Sequence, residues 1–264
     1  MLPPKLILIR HGESEGNLIV NNTRKDNDSL YNPKMKEAHT VSWRLSDKGI
    51  EQAQKTGEWL QNNTFLKKTN FVELYTSDYV RALETAYGLN IPKAMWQISS
   101  EVRERMYGDI DFLYTKDIFD TKFCANLAQR KSSNFHWVPQ NGESISSVCE
   151  RASNFIHRVL DGNIYNRKVV IVTHGEFIWA MRIVLGEILP REYESLRNTK
   201  PVYNCQITEF SNVSNDSYSR VRHYCPPTPD YHNWEYKGLK PKIYTNDNLK
   251  EIIDSYPRLI TNPQ

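Results

Sequence analysis

The chain has 264 residues, with 34 Lys and Arg against 31 Asp and Glu and a formal net charge of +3. This length predicts one large domain with a sizeable core, and a mild charge scattered along the chain does not favour nucleic acid as a partner. The cysteines show neither C-x-x-C spacing nor a ligand-like His partner, which predicts reduced thiols, a cytoplasmic location and no metal site; they are Cys124, Cys149, Cys205 and Cys225.

The predicted elements alternate between strands and helices from the first residues onward. Lys5 to Ile9 is a short apolar run typical of a buried parallel strand, and it is far too short to be part of a secretory signal. No stretch is long enough to span a bilayer, so no membrane contact is expected. The next elements are a helix opened by 45–49, a strand at 70–75, a helix capped near Ser77 or Asp78 with Arg81 in its first turn, a short strand at 96–99 and a helix at 115–129.

The second half of the chain continues the same alternation. Gly142-Glu143-Ser144 starts an amphipathic helix whose apolar stripe is typical of core packing. It is followed by a strand at 168–173, a helix at 176–185, strands at 205–210 and 218–224 with the last at an edge, and a helix at 246–255. This order predicts a three-layer α/β fold with a mostly parallel central sheet flanked by helices.

Two predicted parallel strands end in similar turns that carry a histidine. Arg10 and His11 begin the sequence RHGESEGN directly after the first strand, and His174-Gly175-Glu176 directly follows the strand at 168–173. Ligands of open α/β sheets bind beyond the carboxyl ends of the strands, so a cation and an imidazole placed there favour an anion such as phosphate. A lone Arg-His pair is more often a solvated surface turn. The second strand with His, Gly and Glu makes the binding site the stronger interpretation.

Three motifs in this order resemble the histidine phosphatase superfamily, which includes cofactor-dependent phosphoglycerate mutases and many phosphomonoesterases. The motifs are Arg10-His11-Gly12-Glu13, Ser77-Asp78-x-x-Arg81-Ala82-x-x-Thr85-Ala86 and His174-Gly175. The resemblance runs from about residue 5 to about residue 210. It indicates a catalytic domain at 1–225. Residues 18–43 are predicted to form an extended loop, and so long a connection without its own apolar pattern is usually either functional or disordered. We expect this loop to border the active site and the C-terminal extension at 226–264 to pack on the domain.

Phosphoryl transfer without a metal or other cofactor requires cations that converge on the phosphoryl oxygens. Arg10, Arg81 and His174 are suited to this, because a guanidinium binds phosphate oxygens in a bidentate way and stays charged. The resemblance implies that His11 is the nucleophile, which forms a phosphohistidine through one ring nitrogen. We expect the other ring nitrogen to donate to a backbone carbonyl and so fix the tautomer.

The resemblance also implies a carboxylate that protonates the leaving oxygen, and Glu104 in the segment 102–108 fits its place. Such an acid works best if burial raises its pKa towards neutrality. The simpler alternative is a surface Glu paired with Arg103 or Arg105. Glu101 is a competing carboxylate that lies three residues too early for the motif.

Four further residues are candidates for substrate binding. Asn17 is either an amide donor to phosphate or a plain helix cap, and Asn204 matches a family position near the site or is only a turn amide. Arg105 and Tyr107 resemble the mutase form of the 104–108 segment, where the Arg and Tyr hold the substrate. Two other histidines lie in segments expected to rim the cleft, His39 and His136.

Three functions follow from these motifs. The first is a metal-independent phosphatase acting on a small phosphorylated metabolite or a phosphoprotein. The second is a bisphosphoglycerate-primed mutase, although residues 130–137 lack the paired arginines that mutases place there. The third is a non-catalytic protein that binds a phosphorylated partner. The presence of all five catalytic candidates, from Arg10 to His174, favours an enzyme over a binding protein.

Overall fold

The computed structural model describes residues 5–23, 25, 27, 29–30, 32–62, 71–111, 134–160, 167–214, 217–224, 243–256 and 258. Its strands are β1 (Lys5–Arg10), β2 (Phe71–Thr76), β3 (Met95–Ile98), β4 (Arg167–Thr173), β5 (Ile207–Ser214), β6 (Ser217–Tyr224) and β7 (Ile243–Thr245). They form one sheet in the order β6-β5-β1-β4-β2-β3-β7. The four central strands are parallel, and the antiparallel pairings lie towards the two edges. The predicted, mostly parallel sheet is thus confirmed at its centre.

The helices of the described segments include two packed groups. They are α1 (Glu15–Thr23), α2 (Pro33–Glu37), α3 (Asp47–Asn62), α4 (Val80–Gly88), α5 (Ile145–Leu160), α6 (Gly175–Val184), α7 (Tyr193–Thr199) and α8 (Asn246–Asp254). Helix α4 packs against α3 and α8, while α5 packs against α6. The result is the predicted three-layer α/β architecture. None of these helices is long and apolar enough to cross a membrane.

The core lies on the two central strands β1 and β4. Residues 6–9 of β1 and 169–172 of β4 are fully buried. A parallel strand covered on both faces has a continuous apolar sequence rather than an alternating one. These two strands could therefore be predicted from the sequence. The predicted edge strand near 218–224 is also confirmed, since β6 ends the sheet order.

Helix α4 begins later than the sequence indicated. Its N-cap is Tyr79, which makes no side-chain capping bond, so the predicted cap at Ser77 or Asp78 is wrong. Both side chains have other partners: the Ser77 hydroxyl contacts His174, and the Asp78 carboxylate pairs with Arg103. Arg81 still lies in the first helical turn, as predicted. The predicted helix at 115–129 lies outside the described residues.

The segment 18–43, predicted as an extended loop, is partly helical. Reciprocal bonds between Ser14 and Asn17 form a capping box that begins α1, which continues to Thr23. Asn32 caps α2, and Pro33 stands at the first helical position, where its fixed φ suits a helix. Polar capping residues rather than an apolar stripe specify these helices, which is why the apolar pattern did not indicate them.

The C-terminal residues 243–256 belong to the same fold. Strand β7 pairs with β3, and the predicted helix near 246–255 is present as α8. Leu249 and Ile253 of α8 are buried in the core, and Trp96 Nε1 donates to Asn246 Oδ1 at 3.0 Å. Residues 225–242 lie outside the described part, so the domain limit at 225 stays a prediction.

Candidate active site

The parallel register of three strands brings two histidines and a serine to one edge of the sheet. Arg10 at the end of β1 lies opposite Thr173 at the end of β4. The pairing continues past the strand ends, because His11 N donates to Thr173 O at 2.9 Å and Ser77 N donates to Val172 O at 3.0 Å. The rings of His11 and His174, which follow β1 and β4, therefore lie with their centroids 5.2 Å apart.

The hydrogen bonds of His11 define its tautomer. Its Nδ1 lies 2.7 Å from the Gly12 carbonyl oxygen, which can only accept, so Nδ1 carries the proton. Its Nε2 accepts from Arg81 Nε at 3.2 Å and therefore holds the lone pair. Burial, followed by the charges of Arg81 and Arg10, keeps the pKa of His11 well below its usual range. The expected carbonyl partner is confirmed, and the ring is neutral at neutral pH with its lone pair on Nε2.

The three predicted phosphate-binding side chains surround this nitrogen. Arg10 Nη1 donates to Val202 O and Arg81 Nη1 donates to Thr40 O, each at 2.7 Å, which fixes both guanidinium groups. His174 Nε2 lies 2.9 Å from the Ser77 hydroxyl oxygen. That oxygen also accepts from the Tyr79 N–H, and when its own hydroxyl proton is donated to His174 Nε2 the proton of His174 is on Nδ1.

Two buried side-chain nitrogens beside His11 lack a protein partner within the described residues. They are Arg10 Nε and His174 Nδ1. Leaving a buried donor unsatisfied costs about 1–3 kcal/mol, so an orphaned pair at one place is more than a packing defect. An anion with several acceptor oxygens would satisfy both donors at once. The two nitrogens therefore lie beside an imidazole whose Nε2 holds a lone pair.

Glu104 is held by backbone donors rather than by a surface ion pair. Its Oε1 accepts from Arg105 N at 3.0 Å and from Glu176 N at 3.1 Å. Burial, followed by the negative charge of Glu176, raises the pKa of Glu104 above its usual value. The surface alternative fails because Arg103 pairs with Asp78. The competing Glu101 pairs instead with Arg158.

Asn17 and Asn204 support the nucleophile loop. Asn204 Nδ2 donates to His11 O at 3.1 Å and to Asn17 Oδ1 at 3.0 Å. Asn17 forms the α1 capping box with Ser14 and also binds Asn204. Neither a phosphate donor nor a plain helix cap therefore describes its whole role. Both side chains also line the cavity beside Arg10.

The structure brings Tyr107 to this cavity but does not bring Arg105 there. The Arg105 side chain is buried, and its guanidinium donates to Glu143 O at 2.8 Å and to Trp137 O at 2.9 Å. Tyr107 lines the cavity, and its hydroxyl donates to Glu176 Oε1 at 3.1 Å. His39 and His136 are not among the described residues that line it.

The cavity beside the histidine pair has a volume of about 600 Å³. Arg10 and Glu104 are the predicted catalytic residues among the described residues that line it. The described stretches contain no group of three or more His, Cys, Asp or Glu side chains arranged to hold a metal ion. The other described residues that line the cavity are Asn17, Val20, Asn21, Tyr107, Gly175, Glu176, Trp179, Arg197, Asn198, Pro201, Val202 and Asn204.

Sequence reasoning missed a buried ion pair on the cavity wall. Glu176 Oε1 accepts from Arg197 Nε at 2.7 Å, and Glu176 Oε2 accepts from the Tyr193 hydroxyl at 2.5 Å. Burial acts to raise the pKa of Glu176, but the charge of Arg197 and these bonds outweigh it and hold the pKa below its usual value. Glu176 had a signal, as the last residue of the second His-Gly-Glu turn. Arg197 had none, because helix α7 was not predicted.

The family model of the histidine phosphatase superfamily (branch 1) matches residues 6–221. The chain belongs to this superfamily. A phosphoglycerate mutase of Schizosaccharomyces pombe is 29% identical over 191 residues, which cover 68% of this chain and 78% of that protein. The adenosylcobalamin/alpha-ribazole phosphatase of Escherichia coli is 28% identical over 171 residues, or 64% of this chain and 73% of that protein.

The fold is also that of a solved member structure. The alpha-ribazole phosphatase from Shigella flexneri superposes with a TM-score of 0.61 and 21% sequence identity, covering 89% of this chain and 99% of that one. The relatives thus include both phosphatases and mutases. The chain is accordingly an enzyme of the histidine phosphatase superfamily.

Proposed function

We propose that this enzyme is a metal-independent phosphomonoesterase that hydrolyses a small phosphorylated metabolite through a phosphohistidine on His11. The observation that carries the proposal is the buried His11 Nε2, which holds a lone pair and lies among Arg10, Arg81 and His174. The unpaired donors Arg10 Nε and His174 Nδ1 supply hydrogen bonds for the phosphoryl oxygens. A cavity of about 600 Å³ beside them is in the size range of small-molecule sites.

The reaction has two steps that share the same groups. In the first step His11 Nε2 attacks phosphorus, the N–P bond forms and the ester P–O bond breaks, while Glu104 gives its proton to the leaving oxygen. In the second step the Glu104 carboxylate takes a proton from water, whose oxygen attacks phosphorus and breaks the N–P bond. Inorganic phosphate leaves, and both His11 and Glu104 return to their starting protonation states.

The contacts of Arg105 support hydrolysis rather than a mutase reaction. In the mutases that the 104–108 segment resembles, we expect the Arg to hold the substrate. Here the buried Arg105 guanidinium is bound to the carbonyl oxygens of Glu143 and Trp137. Turning it into the cavity would leave both acceptors without this donor, at a cost of about 1–3 kcal/mol for each that stays buried. We therefore expect water, not a phosphoglycerate, to accept the phosphoryl group.

The proposal is tested with p-nitrophenyl phosphate in the presence of a chelator. The wild-type enzyme should hydrolyse it, and a rapid acid-free quench with radiolabelled substrate should trap an alkali-stable phosphoenzyme. His11→Ala should abolish both signals, whereas His157→Ala, which changes an exposed histidine near the end of α5, should change neither. Native-rate hydrolysis by His11→Ala would refute the proposal.

Two other outcomes would select the alternative functions. A phosphoenzyme that passes its phosphate to a monophosphoglycerate faster than to water would make the enzyme a mutase. Tight phosphate binding without turnover of any phosphomonoester would make it a binding protein.

We also propose a cytoplasmic location. Neither Cys149 nor Cys205 takes part in a disulfide, as is common for cysteines in reducing compartments. Fractionation of the source cells with an antibody to the chain would test this proposal.

A further inference from the structure

A second carboxylate, that of Glu176, lies beside the acid that the proposed function assigns to Glu104. The backbone N–H of Glu176 donates to Glu104 Oε1 at 3.1 Å, and both side chains line the same cavity. The Glu176 carboxylate is therefore within one side-chain length of the Glu104 carboxyl group. Two acidic groups this close influence each other's protonation.

The contacts of Glu176 show that it is the ionised member of the pair. Its carboxylate accepts from Arg197 Nε and from the hydroxyls of Tyr107 and Tyr193. It also forms a salt bridge of 2.5 Å with Arg197 Nη2. All of these groups donate hydrogen bonds, so the carboxylate acts only as an acceptor and carries its charge while buried.

Glu104 has a different set of neighbours. Its Oε1 accepts from two backbone N–H groups, a pattern that by itself favours the ionised form. Burial and the charge of Glu176 act in the opposite direction and prevail, so the pKa of Glu104 is raised. The other titratable or charged groups that act on one member of the pair are Arg10 from β1, Arg81 from α4, Arg197 and Tyr193 from α7, and Tyr79, Arg105 and Tyr107 from the loops.

We propose that Glu176 is a positioning residue for the general acid: its fixed negative charge keeps the proton on Glu104 Oε2, and its backbone N–H keeps Oε1 occupied. The inference rests on the proposed function, because it concerns the residue that protonates the leaving group. Glu176 itself touches no reacting atom. Its charge sets the pH up to which Glu104 remains an acid.

The test compares two substrates that differ in their need for a proton. An alkyl phosphate such as glycerol 2-phosphate leaves as a poor alkoxide and requires Glu104, whereas p-nitrophenolate leaves without help. In Glu176→Gln we expect the alkaline limb of kcat for glycerol 2-phosphate to move down by about one pH unit. At a pH above the wild-type midpoint, kcat then falls by about tenfold, because a shift of one pKa unit changes the protonated fraction of Glu104 about tenfold there. The rate with p-nitrophenyl phosphate should stay near that of the wild type.

Two further variants separate the effect of the Glu176 charge from an effect of the substitution on folding. Glu176→Asp keeps the charge and should return the alkaline limb towards its wild-type position. Glu187→Gln is a matched control, because it breaks the salt bridge with Arg182 beyond the far end of α6 and lies away from the cavity. Its pH profile should equal that of the wild type.

The inference fails if Glu176→Gln has the wild-type alkaline limb, or if the folded variant loses activity equally with both substrates. The variant Glu104→Gln distinguishes this failure from failure of the proposed function. If Glu104→Gln no longer forms the phosphoenzyme from glycerol 2-phosphate but still forms it from p-nitrophenyl phosphate, while Glu176→Gln behaves as wild type, then only the role of Glu176 is refuted. If Glu104→Gln forms the phosphoenzyme from both substrates at the wild-type rate, the assignment of the general acid is refuted as well.

Discussion

Replacing Gly12 by alanine should disable the nucleophile without unfolding the protein. A Cβ atom at position 12 would lie 2.5 Å from the carbonyl oxygen of Gly49, where ordinary contacts begin at 3.4 Å, so the two backbones must separate by about 0.9 Å. Overpacking of this kind costs about 1–3 kcal/mol. A loss of about 2 kcal/mol lowers the melting temperature by roughly 4–8 °C in a protein of this size.

The effect on catalysis should be larger, because Gly12 holds the nucleophile on both sides. Its carbonyl oxygen accepts from His11 Nδ1 at 2.7 Å, and its N–H donates to Thr85 Oγ1 at 3.0 Å. A displacement of about 1 Å at a reacting group can cost about 100-fold in rate. We therefore expect kcat to fall by about two orders of magnitude while the KM for p-nitrophenyl phosphate changes little.

Thermal unfolding and steady-state kinetics on Gly12→Ala and on Gly186→Ala would check this reasoning. Gly186 has a φ of +77° and no neighbour within 4 Å of an added Cβ, so alanine there is strained but does not collide. That variant should lose about 1 kcal/mol of stability and keep its wild-type kcat. A fully active Gly12→Ala enzyme, or an equal loss of kcat in Gly186→Ala, would refute the link between this glycine contact and His11.

Two further predictions concern buried charges. Burial and neighbouring arginines lower the pKa of His11, so its Cε1–H NMR signal should remain that of a neutral ring as the pH falls through 6.5. The signal is assigned by its absence from the His11→Ala spectrum. Titration of His11 at or above pH 6.5 would contradict the structure. Arg44→Ala leaves the buried Glu84 carboxylate without its ion-pair partner and should lower the free energy of unfolding in urea by about 3 kcal/mol. The exposed Lys55→Ala change is its control, and equal urea midpoints for the two variants would count against this pair.

Much of this structure could be predicted from the sequence, because it depends on local chemistry. The buried strands β1 and β4 are continuous apolar runs, and the His-Gly turns at their ends mark the carboxyl edge of a parallel sheet. The order of these motifs indicated the superfamily, which the family model confirms over residues 6–221. The shared direction of β1, β4 and β2 then requires that the residues following them meet. His11, His174 and Ser77 were therefore within reach of sequence reasoning.

Other features depend on contacts between distant parts of the chain. The helices within 18–43 escaped detection because polar caps, not an apolar period, specify them. The cap predicted at Ser77 or Asp78 lies one or two residues before the observed N-cap Tyr79, and each of these two side chains has a tertiary partner, His174 or Arg103. Arg105 resembles a substrate-binding residue in sequence, yet two backbone carbonyls hold it inside the protein.

The sequence by itself determined the fold class, the superfamily and the side chains that lie around the proposed phosphate site, because periodicity, turn residues and motif order are local properties. Only the tertiary structure decided which nitrogen of His11 carries the proton, and that Glu176 and Arg197 meet beside Glu104. The protonation state of a buried group depends on its hydrogen-bond partners and on charges many residues away. Such partners are fixed only when the chain has folded.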